Sequence, residues 1–322
     1  ETVNNFGTII ICNEETPFFR PIKMFASMSP PGLSQLQAEV NLPETLFGST
    51  SINLVSDGTM LKDGGSVFGQ IPKTEWSQHI TPDRNNRVRL GINCMLIQTP
   101  DTNILVNAGT GSKQSDKLKD SFGLAGNKLI KGLRSFGITA RDVDIVILSD
   151  LFIEHGGGCT KMDRSGMAVP TFPRARHIVQ KSSWEDAQNP NDRFNNRFNP
   201  EDFLPLQEKE LLEIIDGDTE IIPGINIKVT NGPSLGHQIV LVERGSEKVA
   251  FLSNLIPTPM HLMPNYIPAW DMDPNNTLRE KQETLTNAAK DGWLIVFGHA
   301  TDNSAGYIRE RNGRAEFLPV AV

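Results

Sequence analysis

The chain has 322 residues, 38% hydrophobic and 21% charged, a composition that excludes a disordered polymer and allows one large core or two modest ones. Lys+Arg 31 against Asp+Glu 38 gives a net charge of −7, which argues against nucleic acid or an anionic membrane as partner. No apolar run approaches the roughly 18 residues of a membrane-spanning helix.

The chain opens on Glu1 rather than Met, and the expectation is a trimmed N-terminus whose lost leader would have carried any address; compartment is left open. Residues 1–48 are expected as an N-terminal extension, with strand-like Thr8–Cys12 and a proline-rich step at Ser29-Pro30-Pro31-Gly32. Cys12, Cys94 and Cys159 are an odd count without metal-type spacing, so buried thiols are expected and a disulfide framework is not. From Ser51 the pattern turns strand-rich: Ile52–Val55, Ile92–Gln98 and Asn103–Val106. Leu129, Ile130, Leu133 and Phe136 mark a helix over Lys128–Phe136, closed by Gly137. Asp144–Leu148 has the short apolar run of a strand covered on both faces. His177–Gln180 reads as a strand and Ser182-Ser183-Trp184-Glu185 as a helix start. Strands follow at Ile225–Val229, Gln238–Glu243 and Lys248–Leu252. Asp273-Pro274 caps a helix Leu278–Ala289 that ends at Gly292, and Leu294–Phe297 is expected as the last buried strand. Strands and helices alternate through both halves, the pattern of a layered α/β protein.

One stretch carries a chemical signature. After Asp144–Leu148 comes Ser149-Asp150-Leu151-Phe152-Ile153-Glu154-His155-Gly156-Gly157-Gly158. A strand that runs into a polar loop is a natural site position in an α/β protein. This stretch resembles the metallo-β-lactamase motif H-x-H-x-D-H followed by glycines. Five further segments keep the family order: Ser56-Asp57-Gly58-Thr59 with Asp63-Gly64-Gly65; Asn93–Ile97 with Ile104–Gly109, where Asn107 stands in place of the usual Asp; Leu235–Val240; Ser253–Thr258; and Leu294–His299. The resemblance spans roughly residues 50–322 and implies an αββα sandwich of the metallo-β-lactamase type over 49–322.

That family binds two metals and hydrolyses esters, lactones, lactams, thioesters or phosphoesters. The resemblance places Asp150, Phe152 and Pro233 where the first metal has three His, and Asn254 where an Asp bridges the ions. Phe and Pro have no ligating side-chain atom. The second site keeps His155 and His299 and has Glu154 for Asp. The leading expectation is therefore a non-hydrolytic binding or assembly protein with a vestigial pocket of Asp150, Phe152, Pro233 and Asn254, and no metal. The alternative is a hydrolase with one Zn or Fe on Glu154, His155 and His299, a 2-His-1-carboxylate set. A third option is metal-free chemistry with Asp150 or Glu154 as general base. A protein partner, a small molecule or a second copy of the chain all remain open as partners. His237 is expected to be structural. His261, Tyr266 and Trp270 lie in a Pro/Met-rich loop that either packs as a lid or walls a pocket for an apolar ligand. Asp57 is expected to form a turn, and His79 and His177 to be surface or core.

Overall fold

The computed structural model describes residues 40–41, 50–113, 119–120, 122–124, 127–194, 196–311 and 314–320. Cys12, the expected strand Thr8–Cys12 and the step at 29–32 lie outside the described residues.

The first sheet begins with β1 (Val40–Asn41), β2 (Ser51–Asp63), β3 (Arg87–Gln98), β4 (Asn103–Val106) and β5 (Ile145–Ile147). A separate ribbon, β6 (Thr160–Met162) with β7 (Ala168–Pro170), intervenes before β8 (Arg176–Gln180) and β9 (Leu212–Ile215) complete the sheet in the order β1-β2-β3-β4-β5-β8-β9. The second sheet runs in sequence order: β10 (Thr219–Ile222), β11 (Ile225–Val229), β12 (Gln238–Arg244), β13 (Glu247–Phe251), β14 (Leu294–Val296), β15 (Ala305–Arg311) and β16 (Arg314–Pro319). The pairs β4–β5, β5–β8, β8–β9 and β13–β14 are parallel.

Alternation along each strand sets the layers. Met95, Ile97, Ile104, Val106, Ile145 and Ile147 face Val240, Val249, Phe251, Leu294 and Val296 across the two sheets. Their neighbours Cys94, Leu96, Leu105 and Val146 turn outward to meet Leu129 and Leu133 of the helix Leu129–Ser135 and Trp184 of the helix Lys181–Gln188. Behind the second sheet, Ala250 and Ile295 pack on Leu285 and Ala288 of the helix Pro274–Asp291. That makes four layers, helix on sheet on sheet on helix. Among the described residues no helix is long and apolar enough to cross a membrane.

Two strand expectations need correction. Ile52–Val55 is only the start of the 13-residue β2. Ser56-Asp57-Gly58 reads as a turn, yet the structure makes it a bulge: the register against β3 shifts between Ser56 and Gly58. A bulge uses turn residues without ending the strand. Leu294–Phe297 is not last, since β15 and β16 form a further hairpin. Its charged positions, Arg309 paired with Glu316, hide it from an apolar-run criterion.

The helix Pro274–Asp291 keeps its expected signals. Asp273 caps it by accepting from the Asn276 N–H (3.0 Å), and Gly292 closes it with a left-handed φ of 67°. The bulge explains Asp57. Its carboxylate accepts from the N–H groups of Thr110, Gly111, Lys128 and Leu129 at 2.9–3.3 Å and from the Thr110 hydroxyl at 3.2 Å. One side chain thus fixes the loop after β4 and the start of the helix Leu129–Ser135. Asp57→Ala is expected to lower the unfolding free energy by about 2–4 kcal/mol, because it orphans buried N–H groups as well as removing a cap; urea denaturation measures it.

Candidate functional site

The loops that leave β4, β5, β13 and β14 at their C-terminal ends supply Asn107, Asp150, Glu154, His155, Ser253 and His299. Asn107 (φ 61°) ends β4 and Ser253 (φ 45°) follows β13, both with left-handed backbone. Asn107 joins the two sheets: its Nδ2 donates to Ser253 Oγ (3.3 Å), and its Oδ1 accepts the Ser149 N–H (2.9 Å). The next two glycines are set by packing. A Cβ on Gly158 would come to 1.9 Å of the Ala108 carbonyl oxygen, and one on Gly157 to 2.5 Å of that of Thr110. Lys113, in a buried pair with Asp202 (2.8 Å), donates to the Gly157 and Thr160 carbonyls and anchors this loop.

Asp150 is fully buried. Its Oδ1 lies 2.6 Å from His155 Nδ1 and accepts the Phe152 N–H (3.0 Å), while Oδ2 accepts from Ser234 Oγ (3.1 Å). Burial, the largest single influence, raises its pKa, but the charge and hydrogen bond of His155 together with His237 hold the carboxyl below its usual value. His155 Nε2 faces His299 Nε2 at 3.3 Å and Ser253 Oγ at 3.2 Å. His299 Nδ1 is 2.9 Å from the Gly91 carbonyl, which can only accept, so Nδ1 carries the proton and Nε2 the lone pair. Burial, then the His155 charge, push His299 down to about 4, so it is neutral near pH 7.

Glu154 takes a different direction. Its Oε1 pairs with the Arg197 guanidinium and, at 3.5 Å, with Lys62 Nζ, all three side chains being largely buried. Burial would raise its pKa, yet Arg197 first and Lys62 second pull it far below the ordinary glutamate range. Lys62 falls to about 8, because burial outweighs the attraction of Glu154. The cations also lie over rings. Arg197 is 4.0 Å from the Phe152 ring centre and 5.6 Å from that of Trp270, and Lys62 lies 4.7 Å from Phe122 and 5.7 Å from Trp270.

The structure therefore brings Asp150, His155 and His299 together and commits Glu154 to Arg197 and Lys62. The three-ligand set Glu154, His155 and His299 is not assembled: among the described residues no group of three or more His, Cys, Asp or Glu side chains could hold a metal ion. As a general base Asp150 is equally engaged, since both its oxygens have partners. Phe152 and Pro233 are buried, and Asn254 is buried with neither amide atom hydrogen-bonded. These residues do not fit a metal pair.

His237 Nδ1 bonds Thr230 Oγ1 (2.6 Å), and His261 bridges Thr258 Oγ1 (2.8 Å) and the Val67 carbonyl (3.0 Å). Both roles are structural. His177 is buried and His79 exposed. The loop with His261, Tyr266 and Trp270 is tied down, since Lys281 Nζ donates to the Met263 (2.6 Å) and Tyr266 (2.9 Å) carbonyls. Sequence reasoning missed Lys62, Arg197 and the role of Ser253. The signal available was Glu154 within an otherwise apolar and glycine-rich stretch, where a carboxylate demands a cation.

No protein-family profile matches the chain. It is 24% identical over 247 residues to an N-acyl homoserine lactonase of Bacillus cereus, covering 73% of this chain and 91% of the relative. It is 27% identical over 180 residues to the lactonase AttM of Rhizobium radiobacter, covering 54% and 65%. Among solved structures, a probable metal-dependent hydrolase from Staphylococcus aureus superposes with a TM-score of 0.79 at 26% identity, covering 86% of this chain and 99% of that one. AidC, a dizinc quorum-quenching lactonase in complex with a product, superposes with a TM-score of 0.73 at 18% identity, covering 88% and 98%. The αββα architecture implied by the sequence motifs is thus shown.

Two outcomes follow from the electrostatics. Glu154→Gln leaves two buried cations without a counter-charge and is expected to cost about 3–5 kcal/mol of stability by urea denaturation, with Glu154→Gln/Arg197→Met less damaging than Glu154→Gln alone. His177 and His299 are pushed down to about 4, and His237 and His261 to about 3, in each case chiefly by burial. The unfolded chain takes up these protons below about 6.5 while the folded chain excludes them, so stability is expected to fall as pH drops from about 6.5 toward 4. Thermal unfolding followed by circular dichroism across that window tests it, and a flat profile would count against it.

Proposed function

We propose that this member of the metallo-β-lactamase fold superfamily is a non-hydrolytic binding protein, in which a buried ion cluster takes the place of the metal pair. One observation carries the reading: Glu154 is neutralised by Arg197 and Lys62 rather than left free to ligate. Phe152 supports it, since the residue at a His ligand position is the platform on which Arg197 rests. The chemistry agrees. Hydrolysis in this fold depends on a cation that lowers the pKa of water toward about 7, and two imidazoles alone do not make the three or four ligands such an ion needs.

A second reading has its own observation. The facing Nε2 atoms of His155 and His299 are 3.3 Å apart, and that of His299 bears a lone pair. Two ligands of one tetrahedral zinc at about 2.0–2.1 Å stand about that far from each other. One zinc or iron held there would make the chain a mononuclear hydrolase of an ester or lactone, the bond class implied by the names of the lactonase relatives.

Elemental analysis of protein purified without chelator, paired with a lactone-opening assay, separates the two. The leading reading expects less than about 0.2 metal equivalents and no opening above the buffer rate. About one equivalent, lost in His155→Ala and in His299→Ala, establishes the second; two equivalents overturn both.

A further inference from the structure

A cavity of about 70 Å³ lies apart from the ion cluster: the described residues that line it include none of Lys62, Glu154, His155, Arg197 and His299. A single water takes up roughly 10–15 Å³ by this measure, so the cavity has room for about five non-hydrogen atoms. The loop after β4 supplies Ala108, Gly111 and Ser112. The start of the helix Leu129–Ser135 supplies Leu129 and Ile130, with Asn127 just before it. The glycine loop and the base of the β6–β7 ribbon supply Gly158, Thr160, Lys161 and Thr171. Asp57 completes the lining and fixes the first two walls through the N–H groups of Thr110, Gly111, Lys128 and Leu129.

The polar groups of this lining differ in the bonding capacity they have left. The Asp57 carboxylate accepts five hydrogen bonds and is saturated. The Thr160 hydroxyl donates to the Glu201 carbonyl (2.6 Å). Thr171 is held in place by its own N–H on the Cys159 carbonyl (2.8 Å), but its Oγ1 is buried and makes no hydrogen bond among the described residues. A buried hydroxyl without a partner is costly, and an acceptor oxygen in the cavity would relieve that cost. Ser112, Asn127 and Lys161 are exposed and mark the open side. Ala108, Leu129 and Ile130 give the cavity apolar walls.

We propose that this cavity binds a small neutral carbonyl compound, a short ketone, ester or amide, with its oxygen on Thr171 Oγ1 and its aliphatic body against Ala108, Leu129 and Ile130. The inference goes beyond the binding-protein reading and stands whether or not a metal sits between His155 and His299. A carbonyl oxygen accepts the free hydroxyl proton and brings no donor that would itself need a partner. An anion would set its charge against the Asp57 carboxylate, and a cation would offer Thr171 no acceptor. The aliphatic body places apolar carbon against apolar carbon instead of water.

Saturation-transfer difference NMR on the full chain, with butan-2-one as the probe, tests the assignment. A ligand of this size is expected to bind with a Kd on the order of 1 mM. Butylammonium and butanoate, of similar length but charged, are expected to bind at least about fivefold more weakly. Thr171→Val keeps the volume and removes the hydroxyl, and is expected to weaken butan-2-one about fivefold, while Thr171→Ser keeps the hydroxyl and should stay within about twofold of the parent. Ile130→Trp fills the cavity without touching Thr171 and is expected to abolish binding, so it decides the matter should Thr171→Val fail to fold. No saturation transfer to butan-2-one would show that the cavity holds water only and would overturn the proposal. Equal binding of the three probes, full binding in Thr171→Val, or unchanged binding in Ile130→Trp would each overturn it as well.

Discussion

A carboxylate placed in a dry protein interior must find positive charge, and in this chain Glu154 finds it in Arg197 and Lys62. The rest of the site is arranged around that requirement. Arg197 needs a surface to lie on, and Phe152 and Trp270 provide it. Trp270 also lies near Lys62, so the loop that carries it shields both cations, and Lys281 pins that loop through the Met263 and Tyr266 carbonyls. Phe152 and Glu154 thus meet the same cation: Arg197 lies over the ring of the first and pairs with the carboxylate of the second.

The frame that holds this cluster is that of the fold. The parallel strands β4 and β5 and the parallel pair β13 and β14 deliver Asn107, Asp150, Ser253 and His299 to one end of the sandwich. Asn107 and Ser253 hold left-handed backbone and are hydrogen-bonded across the sheets. For serine that conformation costs on the order of 1 kcal/mol and persists only when its surroundings enforce it. The hydrogen-bonded chain from Asp150 through His155 to His299 and on to the Gly91 carbonyl adds a second tie between the sheets.

Much of the frame was legible in the sequence because it depends on short-range pattern. Continuous apolar runs mark much of β3, β4 and β5. Asp273-Pro274 and Gly292 mark both ends of one helix. Asp150, His155 and His299, all named from the motifs, are joined in the structure through His155. What escaped was long-range or irregular. Arg197 sits in an Asn- and Arg-rich loop without periodicity, and it meets Glu154 across 43 positions of sequence. Lys62 lies on the part of β2 beyond the Ser56–Gly58 bulge, a stretch that reads as a turn, and it is 92 positions from Glu154. Ligand type and spacing are local properties, while the cations that pair with Glu154 are not.

Thermal unfolding in three conditions (as purified, with excess EDTA, and with excess zinc) addresses the central claim most directly. A protein that binds metal in its native state is stabilised by it through mass action, and a site occupied by its own cations is not. The account predicts the same midpoint in all three. A midpoint that falls with EDTA and recovers with zinc would show that the native site is built around a metal ion, and would contradict it.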